Sequence, residues 1–329
     1  GSGDEGTAML EIVHDMAPGA SLGFATAFTS EASFAQNILD LATAGCTIIV
    51  DDVIYLDESP WQDGPIAQSV NTVTAAGVLY FSSSGNEGNL SDGTSGTWEG
   101  DFLATTLPAP TVIDGAGTFH DFGDGGQSLL VEAGDTNTPV VMVWGEHYTI
   151  DQGFAATDYD VYVLSNDLGE LLDSSVDTQD GLDGNDFPVE FVAGGANAGE
   201  RVVVALFVSG APTPPPFNLI VFRGEVDDAL ATSGATRGHS AAVNAFSTAA
   251  TPAALSFDGI TPDGPSPSQF TAANASESFS ADGPRKVVLS ADGTELTPGD
   301  RSFATGGVVR QKPDLTAADG VSTSAPGFA

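Results

Sequence analysis

The chemistry this chain can offer is concentrated where an apolar run ends. Val78-Leu79-Tyr80-Phe81 reads as a buried strand, and Ser82-Ser83-Ser84-Gly85-Asn86-Glu87-Gly88 follows it. Small side chains at a strand end let another chain approach the backbone, and Gly85 permits a tight or left-handed turn. Asn86 then presents an amide NH2 at a strand's carboxyl end, where open α/β sheets place their ligands. The same letters are also ordinary turn chemistry. A second candidate, Asp51-Asp52, follows the apolar run Ile48-Ile49-Val50. Paired carboxylates there can raise each other's pKa or bind a cation; solvated loop acids are the plainer reading in so acidic a chain. Asp173, Asp177, Asp180, Asp183 and Asp186 suggest sites for a hard cation such as Ca²⁺, with acidic surface as the alternative. His120, His147 and His239 are scattered without zinc-ligand spacing. No phosphate loop or dinucleotide fingerprint is present.

The elements that must carry these residues are legible as an alternation. Residues 4–15 read as a helix from the spacing of Ala8, Met9, Ile12 and Val13, stopped by Ala17-Pro18-Gly19-Ala20. Ser21 to Ala27 is a strand candidate. Ser30 caps a second helix over 31–44, with Phe34, Ile38, Leu41 and Ala42 inward and Gly45 as its stop. Ile48 to Val50 is a buried strand. Gly64-Pro65 opens a third helix with Ile66, Val70 and Val73 inward, and Gly77 lies past its end. Strands alternating with helices predict a parallel sheet with covered faces. Over residues 95–225 the pattern changes to short β runs at Val140–Trp144, Tyr159–Leu164, Glu190–Val192, Val202–Val208 and Phe217–Phe222. Separated by turns, these predict an antiparallel β-sandwich. From about Thr236 the α/β texture returns. The expected division is therefore 1–94, an inserted sandwich at 95–225, and 226–329.

Composition bounds the partners. Lys and Arg number 8 against 45 Asp and Glu, a formal charge of −37. Such a surface repels nucleic acid and anionic membranes. A hydrophobic content of 41% argues for a folded chain. The acids are spread along the sequence, which suits a halophilic protein kept soluble in high salt, or an acidic secreted protein binding calcium. Cys46, the only cysteine, lies in an apolar run and reads as a small core residue. No run of about 20 apolar residues offers a membrane span. No signal peptide is visible, and the sequence opens directly on a helix, as though cut at its N-terminus.

The Val78–Gly88 stretch resembles the oxyanion-hole segment of subtilisin-like serine peptidases, in which a strand ends in Ala-Ala-Ala-Gly-Asn-x-Gly. Asp4-Glu5-Gly6-Thr7-Ala8-Met9 with Ala17-Pro18-Gly19-Ala20 resembles that family's His-Gly-Thr-x-x-Ala helix and its Ala-Pro-x-Ala. Glu5 stands at the histidine position. The related sedolisins carry a Ser-Glu-Asp triad whose Glu lies twelve residues before the Ala of Ala-Pro-Gly-Ala, which again selects Glu5. Their second acid would be Met9, so there the pattern departs. Taken alone, Glu5 is also an acid suited to a helix's first turn, and His14 a cation suited to its last. Asp52 aligns with the serine of the subtilisin Ser-Leu-Gly strand that lines the substrate cleft.

The tail continues the resemblance. Glu277-Ser278-Phe279-Ser280-Ala281-Asp282-Gly283-Pro284 is similar to Phe-Ser-x-x-Gly, and Lys312-Pro313-Asp314-Leu315-Thr316-Ala317-Ala318-Asp319-Gly320 to Lys-Pro-Asp-(Ile/Val)-x-Ala-Pro-Gly. Ser322-Thr323-Ser324-Ala325-Pro326 lacks the glycine and a spacer of Gly-Thr-Ser-x-Ala-x-Pro and reads as a loop. The nucleophilic serine and the strand of the triad aspartate are expected outside these residues. Asp158-Tyr159-Asp160-Val161-Tyr162-Val163 resembles a strand of the jelly-roll-like domains attached to many secreted peptidases. The resemblance spans about 4–90 and 236–328. It implies a mainly parallel subtilisin-like α/β sheet covered by helices, interrupted by the sandwich. It also implies a serine endopeptidase acting on polypeptides outside the cell or at its surface. Asn86 would be the oxyanion donor, Ser83, Ser84 and Gly85 a wall of the substrate pocket, and Glu5 the general base, tuned by Asp52. No cofactor is required, with calcium allowed for. An inactive homologue serving as a binding or adhesion module is the alternative, since the histidine is missing.

Overall fold

The computed structural model describes residues 4–115, 117–252, 275–321 and 323–325. Three α-helices form where the apolar spacing predicts them: α1 (Glu5–Met16), α2 (Glu31–Thr43) and α3 (Pro65–Ala75). The Ser30 hydroxyl accepts the Ser33 N–H and caps α2. Pro65 opens α3 at a position where its missing N–H costs nothing. Phe34 and Ile38 of α2 pack with Ile66, Val70 and Val73 of α3, above Ile49 and Tyr80 of two parallel strands, β1 (Ile48–Asp51) and β2 (Leu79–Ser83). Strands Phe246–Pro252 and Leu315–Asp319 extend this sheet, all in parallel, with Phe246 opposite Phe81 and Thr248 opposite Ser83.

The expected fold class is nevertheless wrong for the chain as a whole. Among the described residues a mainly parallel sheet covered by helices does not organise the molecule. The parallel sheet has four strands, the molecule is mostly β, and most of its strands pair antiparallel. Among the described residues α2 and α3 cover one face of the parallel sheet. Ile48, Val50, Leu79, Phe246 and Leu315 on the other face are exposed, and Phe81 stacks on Phe246 there. After Thr236 the described residues hold strands and one short 3-10 turn but no α-helix. That segment is rich in Gly, Ser, Thr and Pro, which are poor helix formers, so its strands return without the helices that first alternated with them. Ser21–Ala27, expected as a strand, is irregular.

Two antiparallel sheets lie between residues 97 and 226. One orders strands Val189–Ala196, Thr138–Trp144, Phe217–Val221 and Thr97–Gly100. The other is built mainly on Leu129–Ala133, Arg201–Val208, Asp158–Leu164 and Leu171–Ser175. Alternation decides what each face meets. Val140, Met142 and Trp144 face the opposite sheet, against Leu129, Val161 and Val202. Val141 and Val143 face outward onto Trp61, Val288 and Leu289. Both faces are therefore buried, which explains the unbroken run Val140-Val141-Met142-Val143-Trp144. The Trp61 indole donates to the Val143 carbonyl at 2.8 Å. Buried Arg285 pairs with Glu99 and donates to the Gly234 carbonyl, a second tie across this boundary. No helix among the described residues is long and apolar enough to cross a membrane.

Candidate functional site

Parallel strands end together, so β1 and β2 deliver their last residues to one edge. Asp51 lies opposite Ser82 in register. Strand alternation then separates the two aspartates. Asp51 turns into the core, 8% exposed, while Asp52 faces solvent. Glu5 opens α1, half-buried, and its pKa is raised by burial first and then by the nearby Asp52 carboxylate. The Asp52 charge thus reaches Glu5.

The turn after β2 is tightly held. The Ser84 N–H donates to the Thr248 carbonyl, the Ala281 N–H to that of Gly85, and the Gly88 N–H to that of Phe279. Gly85 has φ +108°, and a Cβ there would meet the Glu87 carboxylate at 2.3 Å. Only glycine fits. Ser84 is buried and Ser83 half-buried, while Asn86 is exposed and its amide has no hydrogen-bond partner among the described residues. Asn86 lines a cavity of about 500 Å³ with Gly88, Ser278, Phe279, Arg223 and Glu225. Arg223, which lines this cavity, also draws the Glu5 pKa down, against burial and Asp52. Beneath the turn Glu87 is fully buried, and burial raises its pKa against the opposing pull of Arg237.

A second polar assembly escaped the sequence reading. His239 is 2% exposed and bridges two carboxylates, with Nε2 3.1 Å from Asp51 Oδ1 and Nδ1 2.7 Å from Glu58 Oε2. The Ser82 hydroxyl donates to the same Asp51 oxygen at 2.8 Å. Burial alone would depress the imidazole. Glu58 and Asp51 outweigh it and hold the pKa well above its ordinary value, so His239 is a cation. Phe34 packs edge-on against the ring. The chain Ser82–Asp51–His239–Glu58 looks like a catalytic relay but is sealed in the core, where it joins β1, β2 and the 3-10 turn Gly238–Ala241. The available signal was the in-out alternation of β1, which sends Asp51 inward and so requires a buried partner.

The remaining expectations fall elsewhere. His14 is exposed in the last turn of α1. Burial pushes His120 down to about 3, leaving it neutral, with Nδ1 accepting the Leu103 N–H. Asp180, Asp183 and Asp186 accept N–H bonds from Leu182, Asn185 and Gly181, as loop-shaping residues do. No group of three His, Cys, Asp or Glu arranged to hold a metal ion occurs among the described residues. Ser324 donates through its N–H and hydroxyl to Glu11. Ser322 and Pro326 lie outside the described residues.

No protein-family model matches the chain, and no curated protein matches it. Among solved structures it is similar to the CspB protease of Clostridium perfringens, at 13% identity and a TM-score of 0.37. The match covers 83% of this chain and 54% of that one, so this chain spans about half of that protein's length. A likeness at that score fixes neither fold nor activity.

Proposed function

We propose that these residues form the substrate cleft of a serine endopeptidase of the subtilase type, acting on polypeptides outside the cell and in concentrated salt. In this reading Asn86 donates to the oxyanion, Ser83, Ser84 and Gly85 wall the substrate pocket, and residues 95–225 are an insertion. Glu5 takes the proton of a serine supplied by the Gly-Thr-Ser segment that follows Lys312–Gly320 in the family order. A carboxylate is a poor base near neutrality at its reference pKa of about 4.3. Burial and Asp52 both move Glu5 in the useful direction.

The observation that carries the reading is the convergence at one edge of the parallel sheet. There an Asn86 amide with no partner among the described residues, on a hydrogen-bonded turn, opens on a cavity lined by Arg223, whose charge also acts on Glu5. Strand carboxyl ends are where such sheets bind ligands. Asn86→Ala in the protein carrying the serine segment should lower kcat on casein about 10²–10³-fold. An unchanged kcat would remove Asn86 from the oxyanion role.

One observation favours the inactive alternative. No histidine joins Glu5 and Asn86 among the described residues, and His239 is committed to Asp51 and Glu58. A binding module would hold peptides in this cleft without cleaving them.

A further inference from the structure

Basic residues are scarce in this chain, and nearly all are committed. Of eight Lys and Arg, Arg285 pairs with Glu99, Arg301 with Glu295, Arg310 with Asp63 and Lys312 with Asp314. Arg201 donates to Asn166 and Ser128, Arg237 to the Leu56 carbonyl and Lys286 to that of Phe303. Arg223 is the remaining one. Among the described residues its guanidinium has neither an ion pair nor a hydrogen bond, although Glu225 and Asp135 line the same cavity. In a molecule of net charge −37, a cation left unpaired beside acids is held there by its own backbone and packing.

Two features hold it. Arg223 occupies the turn Val221–Gly224 at φ +54°, in the left-handed region that non-glycine residues rarely adopt. Such outliers persist where the surroundings over-determine them, and they gather at ligand-binding positions. The guanidinium then lies over the Phe222 ring, 5.2 Å from its centroid, which limits its swing while leaving its donors open. It lines the cavity into which Asn86 opens, and it is exposed.

We propose that Arg223 is a specificity residue that binds a carboxylate side chain, Asp or Glu, of a peptide lying across Asn86. This rests on the reading of the cleft as a peptide site and adds to it the class of substrate. Arginine's planar fork matches a carboxylate with two parallel hydrogen bonds, which an ammonium cannot reproduce. The surrounding acids repel an acidic peptide at long range. Salt screens that repulsion far more than it weakens a direct contact, so the preference belongs to high ionic strength.

The test uses the 329-residue chain and fluorescein-labelled octapeptides, uncharged except for one Glu, each matched by a Gln analogue. Anisotropy in molar KCl should give about tenfold tighter binding for the Glu peptide. Arg223→Gly should erase the preference and keep the Gln affinity, and Arg223→Lys should retain part of it. Glycine is at ease at this φ, so Arg223→Gly should melt no lower than the parent, which removes misfolding as an explanation. Equal binding of Glu and Gln peptides by the parent, or a preference surviving Arg223→Gly, overturns the role of Arg223 while the peptide cleft stands. Binding of neither peptide overturns the cleft and this proposal together.

Discussion

Replacing His239 with glutamine tests the buried assembly most severely. The change keeps a planar polar side chain but removes the cation between Asp51 and Glu58. At separations of 3.1 and 2.7 Å, each attraction is about 5–6 kcal/mol at an effective dielectric of ~20. Desolvating three charged groups consumes most of that sum, so the bridge adds little net stability over an apolar substitute. Removing one partner is a different matter, because two carboxylates then face each other in the core. The expected loss is about 3–5 kcal/mol. Urea unfolding followed by the fluorescence of buried Trp61, Trp98 and Trp144 reads it directly. The double variant His239→Gln with Glu58→Gln should lose less than the single one, since one stranded charge is gone. A raised folded pKa means that the bridge contributes fully below the unfolded value of about 6.5 and is lost as pH rises through the folded one. The deficit of His239→Gln should therefore shrink in alkaline buffer. A loss under about 1 kcal/mol at pH 6, or one that does not shrink, would refute a buried imidazolium.

Two further outcomes follow from other charges. Glu31 is raised from 4.5 to about 8, by burial and then by Glu58 and Asp57. The folded state holds that proton more tightly, so Glu31 lowers stability as pH climbs from about 4.5 to 8. Glu31→Gln should accordingly raise the urea midpoint at pH 8.5 and leave it nearly unchanged at pH 4.5; equal effects at both would contradict the shift. Melting temperature should rise from dilute buffer to molar KCl, because at 0.01 M the Debye length of about 30 Å leaves the net charge unscreened. A flat trend would argue against a halophilic surface, and a rise confined to millimolar Ca²⁺ would indicate specific cation sites instead.

What the sequence disclosed depended on whether a signal was local. The caps and periodicities of α1, α2 and α3 read correctly because Ser30, Pro65 and the apolar stripes act within a turn or two. The β runs from Val140 to Phe217 read correctly for the same reason. Pairing partners are non-local, and there the reading failed. A few α/β units at the start suggested a sheet covered on both faces, whereas among the described residues most strands pair antiparallel and α2 and α3 lie on one face of the parallel sheet. Glu5, Asp52 and Asn86 were selected by position along the chain. His239, 188 residues from Asp51, carries no spacing signal, and Arg223 enters the cavity from a strand turn far along the chain.

The proposed roles give Glu5 the serine's proton and Asn86 the oxyanion. The decisive measurement is the pH–rate profile of Glu5→Gln beside the parent, in the protein that carries the serine segment. Glutamine keeps shape and reach but cannot take the proton. If Glu5 is the base, kcat falls by about 10²–10⁴-fold with KM nearly unchanged. In the parent, the rate should rise as pH climbs through the Glu5 pKa, and Asp52→Asn should move that limb to lower pH, because Asp52 is one cause of the raised value. A Glu5→Gln variant that retains the parental rate and profile would rule out Glu5 as the base and leave it as an acid at a helix start.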